Sequence, residues 1–414
     1  MKTKPKAMIV SVGGKRAPVI FSLNQSKPKY ICFFVSEQTR RAIKEEILPA
    51  LSFKPDHHDW VVTKNPELLS ECYFQLAKKL PEMMVKWELE PKDVCVDYTG
   101  GTKTMSVALA MATVDKSCCY SYVGGDERSK GGVGIVIDGK EKMHFLENPW
   151  DQIALSEKKE ASILFNKARY DSAGDILEKC VERVSREHKP FFKALHEMVL
   201  GYALWDRFKH SEAKKHLYRS RDVLTAFGSE NEAVKKVVEQ MEENLSFLEK
   251  ILETPKPSHL YCLDLLANAQ RRAGLEHKYD DAVARLYRSI ETLAQAELKE
   301  SFGIDTSNVK VDSIPERLRE EYLRNYQSKE DHRIKLPLYA SYRLLSELGG
   351  KLGKGFFEIY EKEFKPLLSI RNNSILAHGF NPVDEGIFQK LFDSTLKFSE
   401  IGHERLLKFP TLNL

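Results

Sequence analysis

The periodicity of this chain changes once along its length, and the change dictates the architecture. Over the first 150 residues, short β-branched and aromatic runs alternate with stretches whose apolar residues recur at helical spacing. That alternation requires a parallel sheet with helices on its faces. The candidate strands are residues 7–11, 30–36, 59–63, 93–97, 117–123 and 134–137, and the candidate helices 37–51, 66–80 and 102–115. From about residue 152 onward strands cease and the pattern is helical almost throughout. The expected fold class is an α/β, Rossmann-like N-terminal domain followed by an all-α connector and an all-α C-terminal domain.

Within the helical part, three stretches resemble one another: Phe165 to Ala173, Trp205 to Ala213 and Glu276 to Ala282. Each places a polar or aromatic turn before a small alanine that opens the next amphipathic helix, as tetratricopeptide-type hairpins do. Their irregular separations point to a helical-hairpin connector rather than a repeat array. Glu253-Thr254-Pro255-Lys256-Pro257-Ser258 holds two prolines that a helix interior does not accept, and it marks a boundary. The domains are thus expected at 1–150, 151–257 and 258–414. Loops are expected at 301–315 and 349–355, and a tail at 409–414.

With 42% hydrophobic and 30% charged residues the 414-residue chain has the balance of a soluble globular protein. No apolar run approaches the roughly 18 residues that span a bilayer, and Met-Lys-Thr-Lys-Pro-Lys lacks the apolar core of a secretion signal, so a cytoplasmic protein without membrane contact is expected. Seven scattered cysteines offer neither a disulfide framework nor a metal spacing such as C-x-x-C. Residues 1–150 carry 22 Lys and Arg against 18 Asp and Glu, leaving 42 against 42 for the remainder. The small positive excess in the first third suits a compact anion better than a long duplex.

The anion has a candidate seat. Asp93 to Asp97 reads as a buried strand, Thr102 to Asp115 as a helix, and Tyr98-Thr99-Gly100-Gly101 joins them. Two glycines at a strand-to-helix turn let backbone N–H groups approach a ligand, and the helix N-terminus adds unpaired donors and a positive dipole end. Thr99, Thr102 and Thr104 add hydroxyls and Lys103 a charge. The P-loop pattern G-x-x-x-x-G-K-[ST] fails, because Thr102 stands where glycine must precede the lysine and Asp97 where the first glycine belongs. A second glycine turn, Ser11-Val12-Gly13-Gly14-Lys15-Arg16, follows the first strand, and in an open α/β sheet both turns emerge at the carboxyl ends of the strands.

The string from Asp97 to Met105, followed by a small-residue helix, resembles the ligand-binding motif of CARF domains, the sensors of type III CRISPR systems. The resemblance implies a pocket for a cyclic oligoadenylate at a two-fold dimer interface, lined by Ser11, Gly13 and Gly14 from the first turn and by Thr99, Gly100, Gly101, Thr102 and Lys103 from the second. Tyr122 and Asp126, after the fifth strand, either contact bases or are ordinary loop residues.

Near the other end, Pro366 suits a first helical turn, and Gly379 before Asn381-Pro382 suits a stop. A helix between them would place Arg371, Ser374 and His378 along one stripe. His378 at the helix C-terminus would be favoured in its protonated form. RNA cleavage through the substrate's own 2′-hydroxyl needs a proton-moving group and a cation for the phosphorane charge, and His378 and Arg371 offer both. Asn372 or Asn373 would orient either one or hold the phosphate. Arg285, Arg288 and Glu291 either line the same cleft or form a solvated helix face, the commoner arrangement. No H-x-x-x-H or H-E-x-x-H spacing supports zinc hydrolysis.

The string Arg371-Asn372-Asn373-Ser374-Ile375-Leu376-Ala377-His378 resembles the HEPN nuclease motif, at the long end of its spacing with six intervening residues. The resemblance implies a helical, dimeric domain in which two motifs face each other across a cleft. CARF followed by HEPN is the layout of CRISPR ancillary RNases. The expected function is therefore a metal-independent endoribonuclease for single-stranded RNA, working as a homodimer, with no cofactor and with cyclic oligoadenylate as allosteric activator. The alternatives are a sensing and recruiting protein with an inactive HEPN dimeriser, and a ring nuclease that cuts its ligand in the first domain.

Overall fold

The structure, a computed structural model, describes residues 4–116, 118–125, 127, 136, 139–146, 148–185, 187–376 and 379–414. It divides into two units: residues 1–157 with 178–190, and residues 158–177 with 191–414.

In the first unit, strands β1 (Ala7–Ser11), β2 (Tyr30–Ser36), β3 (His57–Thr63), β4 (Val94–Asp97), β5 (Cys119–Gly124) and β6 (Lys142–Leu146) form a sheet in the order β3-β2-β1-β4-β5-β6. The first five run parallel and β6 returns antiparallel to β5. Helices α1 (Ala17–Ser26), α2 (Leu69–Lys86) and α3 (Lys103–Thr113) supply the cover. Met8 and Val10 of β1 pack with Val19 and Leu23 of α1, whereas Ala7 and Ile9 face Leu76 and Leu80 of α2 and Leu109 of α3. Because both faces are buried, the inner strands are continuously apolar.

The expected strands match to within two residues where they are described. The segment 134–137 lies, but for Val136, outside the described residues, and β6 was not expected. Helix α1 was not expected either: Arg16-Ala17-Pro18 opens it with proline in the first turn, the one place in a helix where proline costs no hydrogen bond. The expected helix over 37–51 is broken into a turn, a π-turn over Ile43–Ile47 and a 3-10 turn over Leu48–Ala50, where Pro49 withholds its N–H.

Beyond the sheet run α4 (Trp150–Asn166), α5 (Tyr170–Arg183), α6 (Lys189–Asp206), α7 (His210–Gly228), α8 (Glu232–Glu253), α9 (His259–Gly274), α10 (Tyr279–Phe302), α11 (Glu316–Tyr326), α12 (Leu338–Glu347), α13 (Lys351–Ile359), α14 (Lys365–Asn372) and α15 (Glu385–Ser399). The three similar stretches form three similar turns, α4 to α5, α6 to α7 and α9 to α10. Each carries one non-glycine residue at positive φ: Ala168 at 55°, Phe208 at 61° and His277 at 56°. In each case the next N–H reaches back to a carbonyl inside the preceding helix. The alanine that follows, Ala173, Ala213 or Ala282, is fully buried.

The proline-rich segment separates α8 from α9. Of the loop expected over 349–355, only the start is a loop, because Gly349 turns at φ +85° and α13 begins at Lys351. Gly353 belongs to that helix, where a Cβ would lie 2.3 Å from the Ser346 amide nitrogen. The expected tail is docked: Leu412 exchanges two hydrogen bonds with the Asn166 side chain, at 2.8 and 2.9 Å. No helix among the described residues is long and apolar enough to cross a membrane.

Candidate functional site

Strand order departs from chain order between β1 and β4, which lie side by side and feed helices on opposite faces. The crevice at such a switch point is where open α/β sheets bind ligands. Both glycine turns leave from it. The Ser11 hydroxyl, fully buried, donates to the Gly100 carbonyl at 2.6 Å. A Cβ on Gly13 would lie 2.6 Å from the Gly101 nitrogen, and one on Gly100 would lie 2.2 Å from the Ser11 carbonyl oxygen. The two backbones therefore touch, and neither position has room for a side chain. Gly101 adds a positive φ of 80°, whereas Gly14 is exposed and has open space around it.

Beneath the turns lies Asp97, wholly buried at the end of β4. Its carboxylate accepts the hydroxyls of Ser22 and Ser121 and the Thr99 N–H at 2.9 Å. A buried carboxylate satisfied in this way holds the start of the turn in one conformation. Thr99 Oγ1 accepts the Val123 N–H at 2.8 Å. Thr102 caps α3 by accepting the Met105 N–H at 3.1 Å and donates to the Pro66 carbonyl at 2.6 Å, so its hydroxyl braces the turn from within. Lys103, the first residue of α3, is exposed at the helix end where a positive dipole favours anions.

Arg16 was not singled out from the sequence. Its guanidinium donates to the carbonyls of Gly13 and Gly14 and its Nε pairs with Glu46 at 3.4 Å, so it splints the first turn. Tyr122 stacks on Tyr98 with centroids 5.7 Å apart. Burial, then the neighbouring Tyr122 and Asp97, pushes the Tyr98 phenol above its ordinary range. Asp126 lies outside the described residues.

In the second unit, the helix that was to carry Arg371, Ser374 and His378 along one stripe ends at Asn372. Asn373 bonds its side-chain amide back to the Ser369 carbonyl at 3.0 Å, the local competition by which asparagine and serine close a helix. The chain then turns. Gly379 N–H donates to the Ser374 carbonyl at 3.2 Å and Asn381 N–H to the Asn373 carbonyl at 3.2 Å. Ser374 is buried, and a Cβ on Gly379 would lie 2.1 Å from the Asn373 carbonyl oxygen. The helix thus stops short of Ser374, which leaves the expected stripe, and His378 lies outside the described residues.

Arg371 is half-buried. Its guanidinium carbon lies 4.2 Å from the centroid of the Tyr287 ring, and Nη1 donates to Asn372 Oδ1 at 3.1 Å. Among the described residues no carboxylate pairs with it. Glu291, by contrast, pairs with Arg288 at 2.6 Å, and Arg285 donates to Asn268 and pairs with Asp281 at 3.4 Å. Arg285 and Arg288 are thus engaged in ion pairs within α10, and Arg285 also hydrogen-bonds Asn268 of α9. Around the motif Ile375, Leu376 and Phe380 are 61%, 54% and 92% exposed. No group of His, Cys, Asp and Glu suited to a metal occurs among the described residues.

With this geometry in place, similarity to known proteins is informative. A family model described as Csm6 HEPN domain matches residues 252–401, and one described as Csm6 6H domain matches residues 153–248. No curated protein matches the chain. Among solved structures, Enterococcus italicus Csm6 bound to cyclic hexa-2′-fluoro-hexa-dAMP aligns over 97% of this chain and 96% of its own, with a TM-score of 0.57 and 10% identity. That likeness establishes a shared fold. Can2 from Sulfobacillus thermosulfidooxidans in complex with cyclic tetra-adenylate aligns over 50% of this chain and 68% of its own, at 12% identity and a TM-score of 0.25.

Proposed function

Because this chain belongs to the CARF–HEPN ancillary proteins of type III CRISPR systems, we propose that it is a ribonuclease switched on by a cyclic oligoadenylate. The domains run over 1–150, 151–257 and 258–414. The activator sits over the paired glycine turns, contacted by Gly13, Gly14, Thr99, Gly100, Gly101, Thr102 and Lys103, with buried Ser11 bracing the turns from beneath. Arg371 and His378 act on single-stranded RNA in the cytoplasm, with Asn372 or Asn373 orienting them, and the chemistry needs no metal ion because a cation and a proton carrier are both side chains.

The observation that carries the reading is Arg371, a partly exposed cation that no described carboxylate neutralises, in the region matched by the HEPN model. The apolar rim of Ile375, Leu376 and Phe380 favours a second copy covering the motif, which would bring two Arg371/His378 pairs into one cleft. Activator binding acts by preferring the arrangement in which that cleft is competent.

The test is cleavage of labelled RNA in EDTA, with and without cyclic tetra- and hexa-adenylate. Cleavage is expected only with activator, and His378→Ala is expected to abolish it while leaving oligoadenylate binding intact. Undiminished cleavage by His378→Ala would refute the site assignment. Product analysis of the cyclic ligand in the same reactions tests a ring-nuclease activity at the Thr99–Lys103 turn.

A further inference from the structure

Tyr287 and Arg371 come from helices far apart in the chain, and their contact is the feature that fixes the arginine. Arg371 occupies the last turn of α14, an eight-residue helix. A long side chain at a helix end has many rotamers, and nothing among the described carboxylates restrains it. Tyr287 is placed very differently. It lies in α10, a 24-residue helix in which the flanking Leu286 and Ile290 are fully buried, so its backbone cannot drift. The guanidinium carbon sits 4.2 Å from the ring centroid.

A guanidinium over a ring face is attracted by the ring quadrupole, and its N–H groups stay in the guanidinium plane, available to an anion. A carboxylate partner would have occupied those same N–H groups. One of them, on Nη1, is aimed at Asn372 Oδ1. The contact therefore restrains the cation without neutralising it, which is what a group that must meet a developing phosphorane charge requires. Burial, then the Glu291 carboxylate, raises the phenol of Tyr287 against the opposing effect of Arg371, so the ring stays neutral at working pH.

We propose that Tyr287 is the positioning residue for Arg371, a proposal that rests on the nuclease reading above: its ring face holds the guanidinium ready for the scissile phosphate, and its hydroxyl has no part in the reaction. The role belongs to the aromatic face alone. It therefore separates from packing, which leucine or methionine would satisfy, and from phenol chemistry, which phenylalanine would abolish.

The experiment compares Tyr287→Phe, Tyr287→Leu, Tyr287→Met and Arg371→Ala in the full chain, with RNA cleavage measured at saturating cyclic oligoadenylate. Tyr287→Phe is expected to keep kcat within about twofold, and Tyr287→Leu and Tyr287→Met to lose about tenfold in kcat, a size set by one cation–π contact. KM for RNA, oligoadenylate binding and far-ultraviolet circular dichroism are expected to stay unchanged. Wild-type kcat in either aliphatic variant overturns the proposal, and so does a Tyr287→Phe defect as large as that of Tyr287→Leu. If Tyr287→Leu fails to fold, Tyr287→Met decides. Wild-type cleavage by Arg371→Ala would instead overturn the nuclease site, and that result is distinguishable because it concerns a different variant.

Discussion

Replacing Phe409 by alanine should unlatch the segment that follows α15. Residues 409–412 lie against α4 and α6: Leu412 is buried and bonded to Asn166, and the Phe409 ring centroid is 4.5 Å from Tyr202 and 5.2 Å from Trp205. Arg271 of α9 stands over the same ring, with its guanidinium carbon 3.9 Å from the centroid. Its Nε pairs with buried Asp206 at 3.2 Å, while its two Nη atoms, also buried, have no hydrogen-bond partner among the described residues. The aromatic face is what they have in place of an acceptor.

A fully buried Phe→Ala change costs about 3–5 kcal/mol, so for a half-buried ring about 2 kcal/mol is expected. Losing the cation–π contact of a desolvated arginine adds about 1–2 kcal/mol, for a total near ~3 kcal/mol. At about 1.4 kcal/mol per factor of ten, that is an increase of about 100-fold in the opening of the segment. The Leu412 amide, which donates to Asn166 Oδ1, reports it directly by hydrogen exchange. Phe409→Leu should recover most of the apolar share and leave only the cation–π share of the loss. Exchange at Leu412 within about threefold of wild type in Phe409→Ala would refute the latch. Equal protection in Phe409→Leu and wild type would refute the role of Arg271.

Gly100→Ala should abolish oligoadenylate binding, because its Cβ would lie 2.2 Å from the Ser11 carbonyl, whereas Gly14→Ala, with open space around it, should keep the wild-type fold; circular dichroism with fluorescence-anisotropy titration checks both. Burial pushes the Cys262 thiol from its ordinary 9.0 up to about 12. The folded state therefore holds that proton more tightly than the unfolded chain, and the stability this contributes is complete below pH 9 and lost as pH rises toward 12. Urea unfolding between pH 8 and 11 should show a decline of at most about 1.4 kcal/mol per pH unit from this thiol, a component that Cys262→Ala removes; an unchanged slope in that variant would show the thiol is not the cause.

Much of the first unit follows from local chemistry alone. Short continuous β-branched and aromatic runs mark the strands, apolar residues in 3.6-residue period mark the helices, and the paired glycines mark the turns, because each of these signals acts over a handful of neighbouring residues. The three hairpin turns were legible in the same way: an aromatic or polar turn followed by a buried alanine is a short-range pattern. Local reading failed where two local signals competed. Asn372-Asn373-Ser374 ends α14 by side-chain capping, against an apolar pattern that continues through Ile375 and Leu376.

The sequence by itself determined that an α/β unit precedes helical units, and it singled out Thr99–Lys103 and Arg371–His378 as candidate stretches for ligand and chemistry. Only the tertiary structure decided what holds them. Asp97 reaches Ser22, Tyr287 in α10 supports Arg371 in α14, and Asn166 clasps Leu412 across 246 positions of sequence. No periodicity records such pairs, since they depend on which helix faces pack together, and that is settled by burial over the whole domain rather than by the residues next in line.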